Sequence, residues 1–332
     1  MLKYAIVGFG GLGKVHFSNY ENIKSRVDVE LVAFCDVEKS AFGTKTATNL
    51  GADTSGDVQG NIYYSIDDLL ANEQLDFIIS VVPTYLHEEI AVKAMEKGIH
   101  VFSEKPMSLT LDACANMIAK AKEKNVKLMI GQCLRFWPEY VKAKEIIDSG
   151  KYGKVVRAEF ARISCTPTWG WQNWYMDEEK SGGAALDLHV HDVDFINYAF
   201  GMPNSVTSAA THQVTKYDSI MTIYRYDDFV VTATGEWGCP SNYPFSTGYF
   251  IRMEKATLEF KNGSVMLYLD DGTKEEVAIC GGSAYANEIV EFANNIINDE
   301  VSKINPPEES MNSIKIALAE KESAAKGETV SF

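Results

Sequence analysis

Residues 2–16 read Leu2-Lys3-Tyr4-Ala5-Ile6-Val7-Gly8-Phe9-Gly10-Gly11-Leu12-Gly13-Lys14-Val15-His16, an apolar run broken by spaced glycines before a helical pattern begins. The run at 4–7 predicts a strand covered on both faces, because apolar residues follow one another with little polar alternation. Gly8-x-Gly10-x-x-Gly13 then predicts a tight turn into a helix. Gly8 permits the reversal, Gly10 lets a pyrophosphate approach the backbone, and Gly13 lets the helix pack closely, with phosphate at the positive helix end. With Gly11 and Leu12 these residues form a candidate dinucleotide-binding set, against the competing reading of a purely structural turn. A second strand ends at Asp36, 23 residues after Gly13, where a carboxylate accepts hydrogen bonds from an adenosine ribose. The same charge repels a 2′-phosphate, so NAD is expected over NADP, and Lys39 reads as a solvated surface lysine.

Outward from this turn, short apolar runs at 29–34, 76–82, 99–102 and 127–130 alternate with helical patterns at 87–97 and 111–124, the latter capped by Thr110. Such alternation predicts an α/β, doubly wound parallel sheet over residues 1–131. From 132 the pattern changes. Alternating segments at 155–163, 205–211, 220–226, 229–237, 250–260 and 265–269 are separated by turn residues such as Asn262-Gly263, which predicts hairpins and an antiparallel sheet. Helices at 285–298 and 308–326 close the chain, so residues 132–332 read as an α+β domain.

A length of 332 residues fits two domains at roughly 150 residues each. The balance of 31 Lys and Arg against 46 Asp and Glu, 31 − 46 = −15, repels phosphate backbones and anionic membranes, so no nucleic-acid partner is expected. No apolar stretch approaches the ~18 to 20 residues that span a bilayer, and the N-terminus lacks a basic and then apolar leader. Six cysteines without Cys-x-x-Cys spacing read as buried thiols of a reducing compartment. A cytoplasmic protein without disulfides or a metal site is the expectation.

Two further stretches carry candidate chemistry. Phe102-Ser103-Glu104-Lys105-Pro106 lies at the carboxyl end of a parallel strand, the edge where open α/β sheets bind ligands. A lysine there donates a hydrogen bond to a hydroxyl or carbonyl oxygen, whereas work as a base requires its ordinary pKa of about 10.4 to fall. The second stretch, residues 182–203, contains Asp187, His189, His191 and Asp194. As an extended strand it aligns Asp187, His189 and His191 like metal ligands. As a helix it places Asp187, His191 and Asp194 on one stripe and His189 nearly opposite. Some 17 residues opened by glycines and stopped by Gly201 and Pro203 favour the helix. Then His189 reads as packed or structurally bonded. Asp187 and His191, one turn apart, become the acid–base pair, the carboxylate holding the imidazole tautomer and stabilising its charge.

Together these stretches resemble the family of NAD(P)-dependent oxidoreductases typified by glucose–fructose oxidoreductase and inositol 2-dehydrogenase, the Gfo/Idh/MocA family. The matching residues are Gly8-x-Gly10-x-x-Gly13 with His16, Val82-Pro83-Thr84-x-x-His87, Glu104-Lys105-Pro106, Arg135, Gly182-Gly183 with Asp187-x-x-x-His191, and Ala319-x-x-x-Ser323-x-x-x-Gly327. The resemblance implies a Rossmann domain joined to a domain with a large open antiparallel sheet, whose free face forms a homodimer or homotetramer interface. It implies a dehydrogenase that moves a hydride between a sugar, cyclic polyol or derivative and nicotinamide. In that reading Lys105 lies near nicotinamide and substrate, His191 is the acid or base, and Asp187 assists it. Pro83, Thr84 and Glu104 border the cofactor, His87 is either structural or cofactor-adjacent, and Arg135 and Trp174 belong to the substrate side. The stretch Trp171–Tyr175 reads either as a stacking wall for a sugar ring or as a packed loop. Position 189 is often glycine in the family, and here it is histidine. A hydrolase or lyase working by transient oxidation, and a non-catalytic NAD- and sugar-binding regulator, are the alternatives.

Overall fold

In the computed structural model, residues 1–43 and 58–332 are described. They form two compact units, Met1–Cys133 with Gly282–Met311, and Leu134–Gly281 with Asn312–Phe332.

In the first unit, β1 (Leu2–Val7), β2 (Val29–Cys35), β3 (Asn61–Tyr63), β4 (Phe77–Ser80), β5 (His100–Glu104) and β6 (Leu128–Gly131) make one parallel sheet in the order β3-β2-β1-β4-β5-β6. The order reverses between β1 and β4, and ligands of doubly wound sheets bind at the carboxyl ends of the strands beside such a switch. The inner strands are buried on both faces, as their apolar runs require, while the edge strand β3 is largely exposed. Helices α1 (Gly11–Ser18), α2 (Tyr20–Lys24), α3 (Ile66–Asn72), α4 (His87–Glu96) and α5 (Leu111–Lys124) connect them. Thr110 caps α5 by accepting the Ala113 N–H at 3.2 Å. Tyr4 of β1 stacks on Phe77 of β4 with ring centroids 4.7 Å apart.

The second unit contains α6 (Pro138–Asp148), α7 (Glu178–Ser181), α8 (Gly183–Asp187) and α9 (Val190–Phe200). Its sheet is built from β7 (Val155–Cys165), β8 (Ser205–Thr211), β9 (Ser219–Arg225), β10 (Val230–Cys239), β11 (Ser246–Met253), β12 (Ala256–Lys261), β13 (Ser264–Leu269), β14 (Lys274–Glu276) and β15 (Val330–Ser331), in the order β14-β13-β12-β11-β7-β10-β9-β8-β15. Only β7 and β10 run parallel. The expected segment at 250–260 is two strands, β11 and β12, because the chain turns at Glu254-Lys255. Alternation sorts the faces: Ile220, Thr222 and Tyr224 of β9 are buried, while Met221 and Ile223 are exposed.

The last two helices are α10 (Ala284–Ile297) and α11 (Pro307–Lys326). Here the sequence expectation needs correction, because α10 and the start of α11 group with the first unit rather than the second. The cause is aromatic packing. Phe292 of α10 sets its edge against Phe77 and Phe102, at 5.6 and 5.9 Å, completing the cover of the parallel sheet.

Candidate functional site

The glycine-rich turn has the geometry its spacing predicts. Gly8 sits at φ +94°, and a Cβ there would lie 2.5 Å from the Val81 carbonyl oxygen. A Cβ on Gly13 would lie 2.1 Å from the Gly8 oxygen, so α1 approaches the turn as closely as a bare backbone permits. Gly10 differs, since a Cβ on it meets nothing within 4 Å. This is an open cradle at the N-terminus of α1, where backbone N–H groups and the helix dipole favour an anion. Asp36, just beyond β2, accepts the Phe9 N–H at 2.6 Å and the Glu38 N–H at 2.8 Å. The carboxylate is therefore fixed to the turn and keeps further lone pairs for hydroxyl donors. These residues fit a dinucleotide. Burial pushes the Lys14 ammonium below its ordinary range while Asp36 opposes that shift. Lys39 points to the Tyr64 ring, 5.1 Å from its centroid.

Lys105 follows β5 at the same carboxyl edge of the sheet and is partly exposed, between buried Glu104 and buried Pro106. Glu104, expected at the cofactor, and His87, expected to be structural or cofactor-adjacent, are both buried side chains. Glu104 is 3% exposed, and its oxygens are taken by His16 Nε2 at 2.7 Å and by the Lys105 N–H at 3.1 Å. His87 is 1% exposed, with Nδ1 2.8 Å from the Pro106 oxygen and Nε2 2.9 Å from the Val82 oxygen. Burial holds its pKa below the usual histidine value. Both side chains brace the loops from behind. Pro83 is half-buried and Thr84 buried, where the chain leaves β4.

Sequence reasoning did not foresee the neighbour of this brace. Glu288 of α10 is fully buried, and its carboxylate lies within 4.8 Å of the ligating atoms of His16 and Glu104. Burial, and then the charge of Glu104, raise its pKa well above the ordinary carboxylate value. The three groups have the composition of a metal site, but the His16–Glu104 hydrogen bond already occupies the ring nitrogen that faces the carboxylate.

In the second unit, residues 183–200 are helical, though not as one straight helix. The N–H groups of Leu188 and His189 both reach the Ala184 oxygen, at 3.0 and 2.8 Å, and this wide turn divides α8 from α9. Burial then sorts the candidates. Asp187 and His191 are partly exposed in a segment whose other polar groups, His189, Asp192 and Asp194, are buried. His189 Nε2 lies 3.2 Å from the Tyr224 hydroxyl and 3.4 Å from a Glu320 oxygen. Gly235 leaves room for the ring, because a Cβ there would stand 2.7 Å from the His189 Cβ. Burial lowers the His189 pKa to about 3 and raises that of Glu320 to about 8, so both are neutral near pH 7.

Arg135 is a correction. Its guanidinium is 2% exposed and grips Asp194 with two hydrogen bonds of 2.8 Å, so it serves the core rather than a substrate. Arg162 holds Asp192 in the same way, at 2.9 and 3.1 Å. Trp174 is half-buried and stacks on Tyr175 at 4.1 Å, while Trp169 and Trp171 are exposed.

With this geometry in hand, the chain was compared with known proteins. Residues 2–132 match the family described as "Oxidoreductase family, NAD-binding Rossmann fold", and residues 140–259 match the GFO/IDH/MocA C-terminal domain. A 2,7-anhydro-N-acetylneuraminate hydratase of Mediterraneibacter gnavus is 30% identical over 73% of this chain and 62% of its own length. An inositol 2-dehydrogenase of Rhizobium meliloti is 27% identical over 88% of this chain and 87% of its own. Against three curated relatives of 27 to 31% identity, the matched span is 53 to 63% of their length. Among solved structures, a levoglucosan dehydrogenase in complex with NADH and levoglucosan superposes with a TM-score of 0.85 at 19% identity, covering 99% of both chains.

Proposed function

Since the chain belongs to the Gfo/Idh/MocA family of NAD-binding oxidoreductases, we propose that it is a dehydrogenase acting on the hydroxyl of a sugar, a cyclic polyol or a derivative. The observation that carries this reading is that Asp187 and His191, four residues apart, are both partly exposed, while His189, Asp192 and Asp194 of the same segment are buried. A carboxylate one turn from an imidazole, both reaching the surface, is the arrangement that acid–base work on a bound hydroxyl requires. Gly8, Gly10, Gly11, Leu12 and Gly13 hold the pyrophosphate, and Asp36 holds the ribose. When bound, NAD supplies the hydride acceptor. Lys105 donates a hydrogen bond to the reacting oxygen, and His191 removes the hydroxyl proton. Asp187 stabilises the resulting imidazolium. Trp174 serves as a flat apolar wall for a ring substrate.

A second reading rests on the hydratase relative. Transient oxidation acidifies a neighbouring C–H bond, and elimination followed by reduction returns the cofactor unchanged. One screen separates the two. The protein is incubated with NAD and, in turn, myo-inositol, scyllo-inositol, levoglucosan and 2,7-anhydro-N-acetylneuraminate, while NADH absorbance and product are both followed. Stoichiometric NADH supports the dehydrogenase, and product without NADH supports the alternative. Lys105→Met and His191→Ala are expected to abolish turnover while sparing NAD binding, and full activity in either removes its role.

The exposed face of the second sheet, with Met221 at 61% and Ile223 at 38% exposure, supports association with a second copy of this chain. No helix among the described residues is long and apolar enough to cross a membrane. Six cysteines without Cys-x-x-Cys spacing support placement in the cytoplasm.

A further inference from the structure

The first unit spends two buried histidines on one short turn. His16 belongs to α1, the helix that begins at the open glycine cradle, and its Nε2 lies 2.7 Å from Glu104, whose other oxygen accepts the Lys105 N–H at 3.1 Å. His87 opens α4 behind Pro83 and Thr84, and its two nitrogens lie 2.8 Å from the Pro106 oxygen and 2.9 Å from the Val82 oxygen. The backbone is therefore gripped on both sides of Lys105, through the amide before its side chain and the carbonyl after it. Each grip leads back to a segment assigned to the cofactor.

We propose that His16 and His87 are positioning residues that couple the glycine-rich turn and the Val82–Thr84 loop to Lys105, so that filling the pyrophosphate cradle changes the setting of the lysine. The inference rests on the NAD reading above and goes beyond it, because neither ring reaches a ligand. His16 is 0% and His87 1% exposed. A merely space-filling role in the parallel-sheet core calls for apolar side chains, since buried polar groups must be repaid by hydrogen bonds. Here the His16 bond ends on Glu104, and His87, whose single N–H when neutral serves either the Pro106 or the Val82 oxygen, lies between residues 104–106 and the loop that borders the cofactor. Room has been left for the brace, because a Cβ on Gly131 would lie 3.0 Å from a Glu104 oxygen. The charges facing it are few. The acidic side chains facing His16 are Glu104 and Glu288, and the charged groups facing His87 are Glu104 and Lys105.

The test uses ADP-ribose, which carries the pyrophosphate and adenosine ribose but no nicotinamide, and so has no ring to cover Lys105 directly. Trace acetylation of the full chain with acetic anhydride, read by mass spectrometry, gives the reactivity of Lys105 relative to Lys154, whose side chain is 77% exposed. Saturating ADP-ribose is expected to change that ratio about fivefold or more in the unaltered protein. In His16→Asn and His87→Gln, with ADP-ribose binding retained by calorimetry, the change is expected to vanish. His16→Phe keeps a ring in the same space but has no nitrogen to bond Glu104, so it tests the His16 arm if the asparagine variant does not fold. An undiminished response in the variants, or ADP-ribose binding without any response in the unaltered protein, overturns the coupling alone. Failure of ADP-ribose to bind at all overturns the dinucleotide reading and the coupling with it.

Discussion

Replacing Gly10 with alanine separates cofactor contact from folding. The backbone at Gly10 has φ −72° and ψ −159°, extended values open to any L-residue, and the added Cβ meets no protein atom within 4 Å. The fold therefore loses only what an alanine costs at a helix N-cap, about 1 kcal/mol, a shift in Tm of about 2–4 °C. The cradle loses more. A methyl group in the space where a pyrophosphate meets backbone N–H groups displaces at least one charge-assisted hydrogen bond, worth about 1.5–3 kcal/mol. Every 1.4 kcal/mol is tenfold in affinity, so NADH is expected to bind about 10- to 150-fold more weakly. Titration of NADH fluorescence beside a thermal melt measures both quantities on one preparation. Gly13→Ala is the contrast, because its Cβ would stand 2.1 Å from a backbone oxygen and must disrupt the turn itself. A Gly10→Ala protein that melts normally and binds NADH as tightly as the unaltered chain would refute the assignment of the cradle.

Three other outcomes follow from the second unit. Asp194→Ala leaves the buried Arg135 without its carboxylate and also removes the acceptor of the Ser313 hydroxyl. A loss of about 3–5 kcal/mol in denaturant unfolding is expected, and a change below about 1 kcal/mol would show that the pair is not sealed from water. Gly235→Ala forces a Cβ to within 2.7 Å of the His189 Cβ, with an expected cost of about 1–3 kcal/mol. Adding His189→Ala should relieve that clash, and strict additivity in the double-mutant cycle would count against direct contact. Glu320 has its folded pKa raised to about 8 from an ordinary 4.5, so its contribution is full below pH 4.5 and is lost as pH rises toward 8. His189, lowered from 6.5 to about 3, costs stability as pH falls through that interval. The fall in unfolding stability measured between pH 5 and 8 should be reduced in Glu320→Gln, and an unchanged slope over that interval would place the titrating group elsewhere.

The parts of the site that were legible in the sequence are those set by local rules. Glycine spacing, the carboxylate after the second strand and the lysine at a strand's carboxyl end all follow from what the backbone must do within a few residues. Arg135, Glu104 and His87 enter through the family resemblance, yet each is buried, Arg135 and Glu104 against partners far away in the chain. Arg135 meets Asp194 across 59 positions and His16 meets Glu104 across 88, so no local pattern announces the pairings. The helix at 183–200 was legible from its length, but its wide turn at Ala184 depends on where His189 is packed. The carboxylate at Glu288 was invisible for the same reason, since it acquires meaning only beside Glu104.

By itself the sequence determined the alternation of apolar runs and helices, and with it a parallel sheet followed by a mainly antiparallel one. It also determined the glycine turn, because only residues without a side chain satisfy its close contacts and left-handed backbone. The tertiary structure decided which polar groups face solvent and which are spent on the interior. It returned α10 to the first unit and separated exposed His191 from buried His189 two residues away. Burial is a property of all the elements that close over a residue, and hydrogen bonds in that interior are assigned by distances through space that residue order does not encode.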